Sequence, residues 1–74
     1  MKYRIRLETQ SDIIAFVSIA SKMHGKVFLT DGDDFKLNAK SLMGVMYSAA
    51  EWDTIFVEAE EECFIEFKQF IDLG

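Results

Sequence analysis

The chain has 74 residues, of which 50% are hydrophobic and 14% aromatic, so it predicts one small packed domain and not a disordered segment. Eight basic and thirteen acidic residues give a formal net charge of −5, which disfavours nucleic acid and anionic membranes as main partners. A single cysteine, Cys63, excludes an internal disulfide and a cysteine-based metal cluster. Because no apolar run approaches a membrane span or a signal peptide, we expect a cytoplasmic protein without membrane insertion.

The N-terminal half predicts a strand, a helix and a β-hairpin. Residues 2–7 alternate basic and apolar side chains, which is typical of a half-buried strand. Capping side chains at 9–12 precede an apolar stripe that predicts a helix over residues 11–23, with Gly25 as its stop. Residues 26–31 favour a strand, and the Asp31-Gly32 pair predicts a turn into a short returning strand at 35–37.

The C-terminal half predicts a helix, a strand and a final helix. Capping residues at 38–41 precede a short apolar helix whose length Gly44 leaves open, and residues 54–59 alternate as a strand. We expect the glutamates at 60–62 to lie in the first turn of the final helix, where the macrodipole favours negative charge. The apolar face of that helix repeats at helical spacing and is formed by Cys63, Phe64, Phe67, Phe70 and Ile71. This order predicts an α+β sandwich with helices on one face of an antiparallel sheet.

The segment from Leu37 to Met46 resembles the regulatory-serine segment of the HPr family, the phosphocarrier proteins of the bacterial sugar phosphotransferase system. Residues 20–23 and the final strand and helix match the family in type and position, so the resemblance covers nearly the whole chain. It implies a single HPr-like domain over residues 1–74, an open-faced sandwich of βαββαβα order. In that fold a four-stranded antiparallel sheet of order 1-4-2-3 carries three helices on one face.

The segment before the first helix departs from the family. There the family carries its phosphoryl-accepting histidine followed by Ala-Arg-Pro, whereas residues 8–15 contain no histidine, arginine or proline. Asp12 cannot form the same phosphoramidate, would repel a phosphate donor, and is expected to be a helix N-terminal charge. The only histidine, His24, lies near the C-terminal end of that helix, where the dipole disfavours phosphate. We therefore expect no catalytic residue, no metal and no cofactor.

Ser41 is the candidate regulatory site. The resemblance implies phosphorylation there by an HPr kinase/phosphorylase, and a phosphate at a helix N-terminus meets unpaired N–H groups. Lys40 is adjacent in sequence, and the alternative is that Ser41 only caps the helix. The resemblance also implies a partner-docking surface that contains Lys40, Leu42, Met43 and Met46, with both methionines expected to be exposed.

A second candidate surface follows from the strand order. If the apolar residues at 27, 29, 55 and 57 face the helices, Phe28 and Phe56 lie on neighbouring strands of the open sheet face. Charged residues flank them, namely Arg4, Arg6, Lys26, Lys36 and Glu58. An exposed aromatic pair rimmed by charge predicts a contact for a partner or for a weak homodimer. The alternative is a pair packed under the charged side-chain stems.

Three functions stay open. The first is a non-catalytic regulatory paralogue, similar to the catabolite-repression variant of HPr, which lacks the histidine and binds a transcription factor once its serine is phosphorylated. The second is a phosphocarrier with a displaced acceptor, and the third is a diverged binding module that has lost both phosphosites. Because Ser41 is kept while the histidine is lost, the first is favoured. Its expected partners are an HPr kinase, a transcription factor or phosphotransferase-system proteins.

Overall fold

The computed structural model describes residues 1–73. Its strands are β1 (Lys2–Ile5), β2 (Val27–Thr30), β3 (Lys36–Asn38) and β4 (Ile55–Ala59). Its helices are α1 (Gln10–Lys22), α2 (Leu42–Glu51) and α3 (Phe64–Phe67), and a 3-10 turn, Lys68–Phe70, follows α3. The predicted α+β class and the order of the elements are confirmed.

The four strands form one antiparallel sheet in the order β1-β4-β2-β3, as the resemblance implies. Leu29 pairs with Val57, and both side chains are fully buried against the helices. The outer edge of β1 is covered by the C-terminal segment, because the Arg6 N–H donates to the Phe70 carbonyl at 2.8 Å and the Asp72 N–H donates to the Arg4 carbonyl at 2.9 Å. The sheet therefore has one face under the helices and one open face.

One hydrophobic core lies between the sheet and the helices. Phe16 on α1 is fully buried, and its ring centroid lies 4.9 Å from that of Phe67 and 5.6 Å from that of Phe70. Val45 on α2 is fully buried as well. The apolar stripes that predicted the helices are the surfaces that pack here, since burying one stripe is what stabilises a short helix.

The C-terminal helix starts later and is shorter than the sequence predicts. α3 begins at Phe64 and has four residues, so the glutamates at 60–62 precede it and their expected place in its first turn is wrong. Glu62 instead accepts a hydrogen bond from the Tyr3 hydroxyl at 2.5 Å and another from the Phe64 N–H at 2.9 Å. Its carboxylate joins the loop before α3 to β1. Cys63 is buried, as predicted.

Other boundaries differ from the predicted ones by a residue or more. α1 begins at Gln10 because Thr9 is its N-cap. β3 begins at Lys36 and not at residue 35, because the Asp31 carboxylate accepts hydrogen bonds from the N–H groups of Asp33 and Phe35 and holds residues 31–35 in the turn. α2 continues past residue 46 to Glu51, ten residues in all, so Gly44 does not end it.

Candidate functional site

The N-terminus of α1 is occupied by its own side chains. Thr9 Oγ1 accepts the Asp12 N–H at 3.0 Å, and Asp12 Oδ2 accepts the N–H groups of Glu8 and Thr9 at 3.0 and 3.1 Å. This reciprocal arrangement is a capping box. Asp12 is the helix N-terminal charge that the sequence predicts. Because its carboxylate already lies on these donors, an incoming phosphoryl group would meet negative charge at this end of α1.

The N-terminus of α2 differs from that of α1 in charge, because its cap is a neutral hydroxyl. Ser41 is its N-cap and is exposed, and the Ser41 hydroxyl accepts one hydrogen bond, from the Gly44 N–H at 3.3 Å. The first turn of α2 carries no acidic side chain. The N–H groups of Leu42 and Met43, at the start of this turn, have no partner within the helix, so they are available to a phosphate on the serine. This geometry fits a simple cap and a phosphate acceptor equally.

Lys40 has a structural contact of its own. Its side chain is half-buried, and the ammonium donates a hydrogen bond to the Met23 carbonyl at 2.8 Å. This contact lies at the C-terminal end of α1, where the helix dipole favours a cation. The ammonium is therefore engaged by α1, and its proximity to Ser41 along the chain does not by itself make it a partner for a phosphate there.

Four large apolar side chains are exposed on α2: Leu42, Met43, Met46 and Tyr47. We call them the α2 surface. Met43 is 82% exposed and Tyr47 is 59% exposed, whereas Val45 on the same helix is completely buried. The predicted exposure of Met43 and Met46 is confirmed. Sequence analysis missed Tyr47, although its spacing of four residues from Met43 places both on one helix face.

On the open sheet face the structure supports the second alternative, in which charged side-chain stems cover the two phenylalanines. Phe28 and Phe56 are both half-buried. The Lys2 ammonium lies 5.1 Å from the Phe56 ring centroid, and the Lys36 ammonium lies 5.1 Å from that of Phe28. The turn residue Gly32 also approaches the Phe56 ring, where a Cβ at Gly32 would lie 2.8 Å from Cε2. Lysine side chains and the turn therefore cover the rings.

The histidine and the cysteine lie in opposite environments. His24 is exposed, two residues beyond the end of α1, on an open groove of about 410 Å³ that Lys26, Lys40 and Glu60 also line. Cys63 is completely buried, and this burial raises the pKa of its thiol. A buried, protonated thiol is a poor nucleophile.

Comparison of the chain with family models, with curated proteins and with solved structures finds no match. Within residues 1–73 no three metal-binding side chains come together, and no helix there has the length and apolar character to cross a membrane. The N-terminus of α1 carries a carboxylate, the N-terminus of α2 carries a neutral hydroxyl cap, and an exposed apolar surface begins directly after Ser41.

Proposed function

We propose that this protein is a non-catalytic, HPr-like regulatory domain of the cytoplasm that acts by protein–protein contact. The α2 surface is the docking site, and Ser41 is the residue whose phosphorylation changes which partners dock. One observation carries the proposal: an exposed serine caps a helix whose first two turns expose four large apolar side chains. Monomeric proteins seldom expose such a contiguous set without a partner.

The contrast between the two helix N-termini supports serine phosphorylation over histidine-type phosphate carriage. At α1 the Asp12 carboxylate accepts the N–H groups of Glu8 and Thr9 and places negative charge at this helix end, and no histidine is near in sequence. At α2 the only cap is a neutral hydroxyl with one long hydrogen bond. A phosphate on Ser41 adds about −1.5 to −2 charges at pH 7, and the first-turn N–H groups and the helix dipole stabilise it.

The same modification changes the chemistry of docking. Without phosphate, the α2 surface is uncharged and suits an apolar groove on a partner. With phosphate on Ser41, negative charge lies next to the N-terminal end of the α2 surface and favours a partner that presents arginine. We propose that the two forms therefore select different proteins, among them a kinase and either a transcription factor or phosphotransferase-system proteins.

Two parallel reactions test the proposal. The purified protein is incubated with an HPr kinase and ATP, and separately with enzyme I and phosphoenolpyruvate, and intact masses are read. We expect one phosphate from ATP in the wild type and in Ser18→Ala, a control at an exposed α1 serine, and none in Ser41→Ala. A phosphate that comes from phosphoenolpyruvate supports a displaced carrier residue, with His24 the first to test. No phosphate in either reaction supports a binding module without a phosphosite.

A further inference from the structure

The open face of the sheet carries a row of positive charge in an otherwise acidic protein. Lys2 and Arg4 on β1 and Arg6 directly after it alternate along the chain, and all three are exposed. The side chains of Arg4 and Arg6 are 57% and 65% exposed. Side chains on one face of a strand repeat at about 6.8 Å, twice the rise per residue. We call these three residues the β1 basic row.

On the strands beside the β1 basic row, Lys36 offsets the carboxylate of Glu58, so these strands do not cancel the positive charge of the row. The register places Lys2 beside Glu58, and Arg4 beside Phe56. Lys36 on β3 shares this face, and its ammonium lies 2.9 Å from a Glu58 carboxylate oxygen, a contact that lowers the pKa of that carboxyl. Glu58 is the one acidic residue of the four strands on this face, whereas acidic residues outnumber basic ones thirteen to eight in the whole chain.

Among the described residues, a second carboxylate besides Glu58 faces this row, and it lies near both arginines. Asp72 Oδ2 lies 3.8 Å from Arg4 Nε and 3.9 Å from Arg6 Nε. A direct charge-assisted hydrogen bond is about 2.7–2.9 Å, so these two contacts are loose and the exposed guanidinium groups can take a further carboxylate. Asp72 lies in the C-terminal segment, whose backbone is hydrogen-bonded to the outer edge of β1. An extended segment beside β1 thus already delivers a carboxylate to the two arginines.

We propose that the open sheet face binds an extended acidic segment of a protein partner, with Asp or Glu at alternate positions along the β1 basic row. An extended peptide repeats its same-face side chains at the spacing of the row, so successive carboxylates meet successive cations. Arginine suits this role because its planar fork binds a carboxylate bidentately. The site lies on the opposite side of the sheet from the helices and does not depend on phosphorylation of Ser41.

Two other occupants fit the face less well. Single-stranded nucleic acid needs free aromatic planes for base stacking, but Lys2 and Lys36 lie over the two phenylalanine rings. The net charge of −5 also repels a long polyanion. A second copy docked through the same face would oppose one basic row to another, which like-charge repulsion disfavours. A short acidic peptide meets only the local positive charge.

Fluorescence anisotropy at low salt tests the proposal with three labelled probes. One peptide alternates Thr and Glu, a second has the same composition with its glutamates in one block, and the third probe is oligo-dT of equal charge. We expect the alternating peptide to bind tightest. The double variant Arg4→Gln/Arg6→Gln should weaken this binding about tenfold, because it removes two charge-assisted contacts to the peptide. The control Lys22→Gln/Lys68→Gln removes the same charge from exposed positions in the helical layer and should change affinity less than twofold.

Several results would overturn the proposal: equal losses in the two double variants, equal affinity for the two peptides, tighter binding of oligo-dT, or self-association that the arginine variant abolishes. Thermal melting checks that each variant folds. If the arginine variant does not fold, Lys2→Gln against Lys22→Gln gives the same comparison with one charge. Ser41→Ala should leave the affinity for the alternating peptide unchanged, so the failure of this proposal and the failure of the serine switch are distinguishable.

Discussion

Replacement of Gly32 by alanine tests whether the β2–β3 turn lies against the Phe56 ring. Gly32 has a φ of +85°, in the left-handed region, and its N–H donates to the Thr30 hydroxyl at 3.1 Å. A Cβ built at Gly32 would lie 2.8 Å from Cε2 and 3.3 Å from Cδ2 of Phe56. Gly32→Ala therefore introduces two penalties, one from the backbone conformation and one from overlap with the ring.

The two penalties have separate magnitudes. A non-glycine residue in the left-handed region costs about 1 kcal/mol, and displacing a packed ring costs about 1–2 kcal/mol more. The lower entropy of the unfolded chain with alanine offsets about 0.5 kcal/mol. We expect the free energy of unfolding to fall by about 2 kcal/mol, which lowers the melting temperature of a domain this size by roughly 10 °C.

Urea unfolding followed by circular dichroism measures this loss of stability, and two further variants separate its causes. Gly25→Ala is the matched control, because its Cβ would come no closer than 4.0 Å to Glu60 Oε1, and we expect a change within about 0.5 kcal/mol. In a Phe56→Ala background the overlap disappears, so Gly32→Ala should then cost only about 0.5–1 kcal/mol. Equal effects at Gly32 and Gly25, or the full cost of Gly32→Ala in the absence of the ring, would refute this packing.

Two further predictions concern the contact between β1 and the loop before α3, and the division of α2 into buried and exposed sides. The hydrogen bond to Glu62 raises the pKa of Tyr3 to about 12 and lowers that of Glu62, so Glu62→Gln should bring the tyrosine titration back towards 10, read as tyrosinate absorbance. Because the folded-state pKa of Glu62 is lowered, its contribution to stability is present above its unfolded pKa and is lost as pH falls through the folded value. In α2, Val45→Ala should lower the free energy of unfolding in urea by about 2 kcal/mol, because Val45 is buried. Met43→Ala should change it by less than about 0.5 kcal/mol. Similar losses at both positions would contradict the exposed α2 surface.

The sequence predicts most of the fold because the signals are local. The stripe that contains Phe16 and the alternation at residues 2–7 and 54–59 each identify one element and its buried side. The N-cap at Ser41 follows from the same local pattern, whereas the exposure of Met43 and Met46 was an expectation from the resemblance. Tyr47 was missed because Gly44 made the length of α2 uncertain, and the helix continues because Val45 and Ser48 bury the side that faces the core.

The features that the sequence did not predict depend on contacts between distant residues. Glu62 belongs to a hydrogen bond with Tyr3, 59 residues away, and a run of three glutamates carries no sign of that partner. Lys40 is held by the Met23 carbonyl, 17 residues away. The phenylalanines of the open face are covered by Lys2 and Lys36, which only the strand register brings above them. Pattern analysis identifies which residues face a surface, but it does not determine which neighbours cover them.

The most direct test of the central claim is amide NMR of the protein before and after treatment with an HPr kinase and ATP. If Ser41 is the switch, the largest shifts fall on the N–H groups of residues 42–44, because a phosphate on the N-cap serine lies beside the first turn of α2. The amide signals of Thr9 and Asp12 should not shift, because their hydrogen bonds in the capping box are unchanged. Spectra that do not change, or shifts centred on His24, would contradict the account.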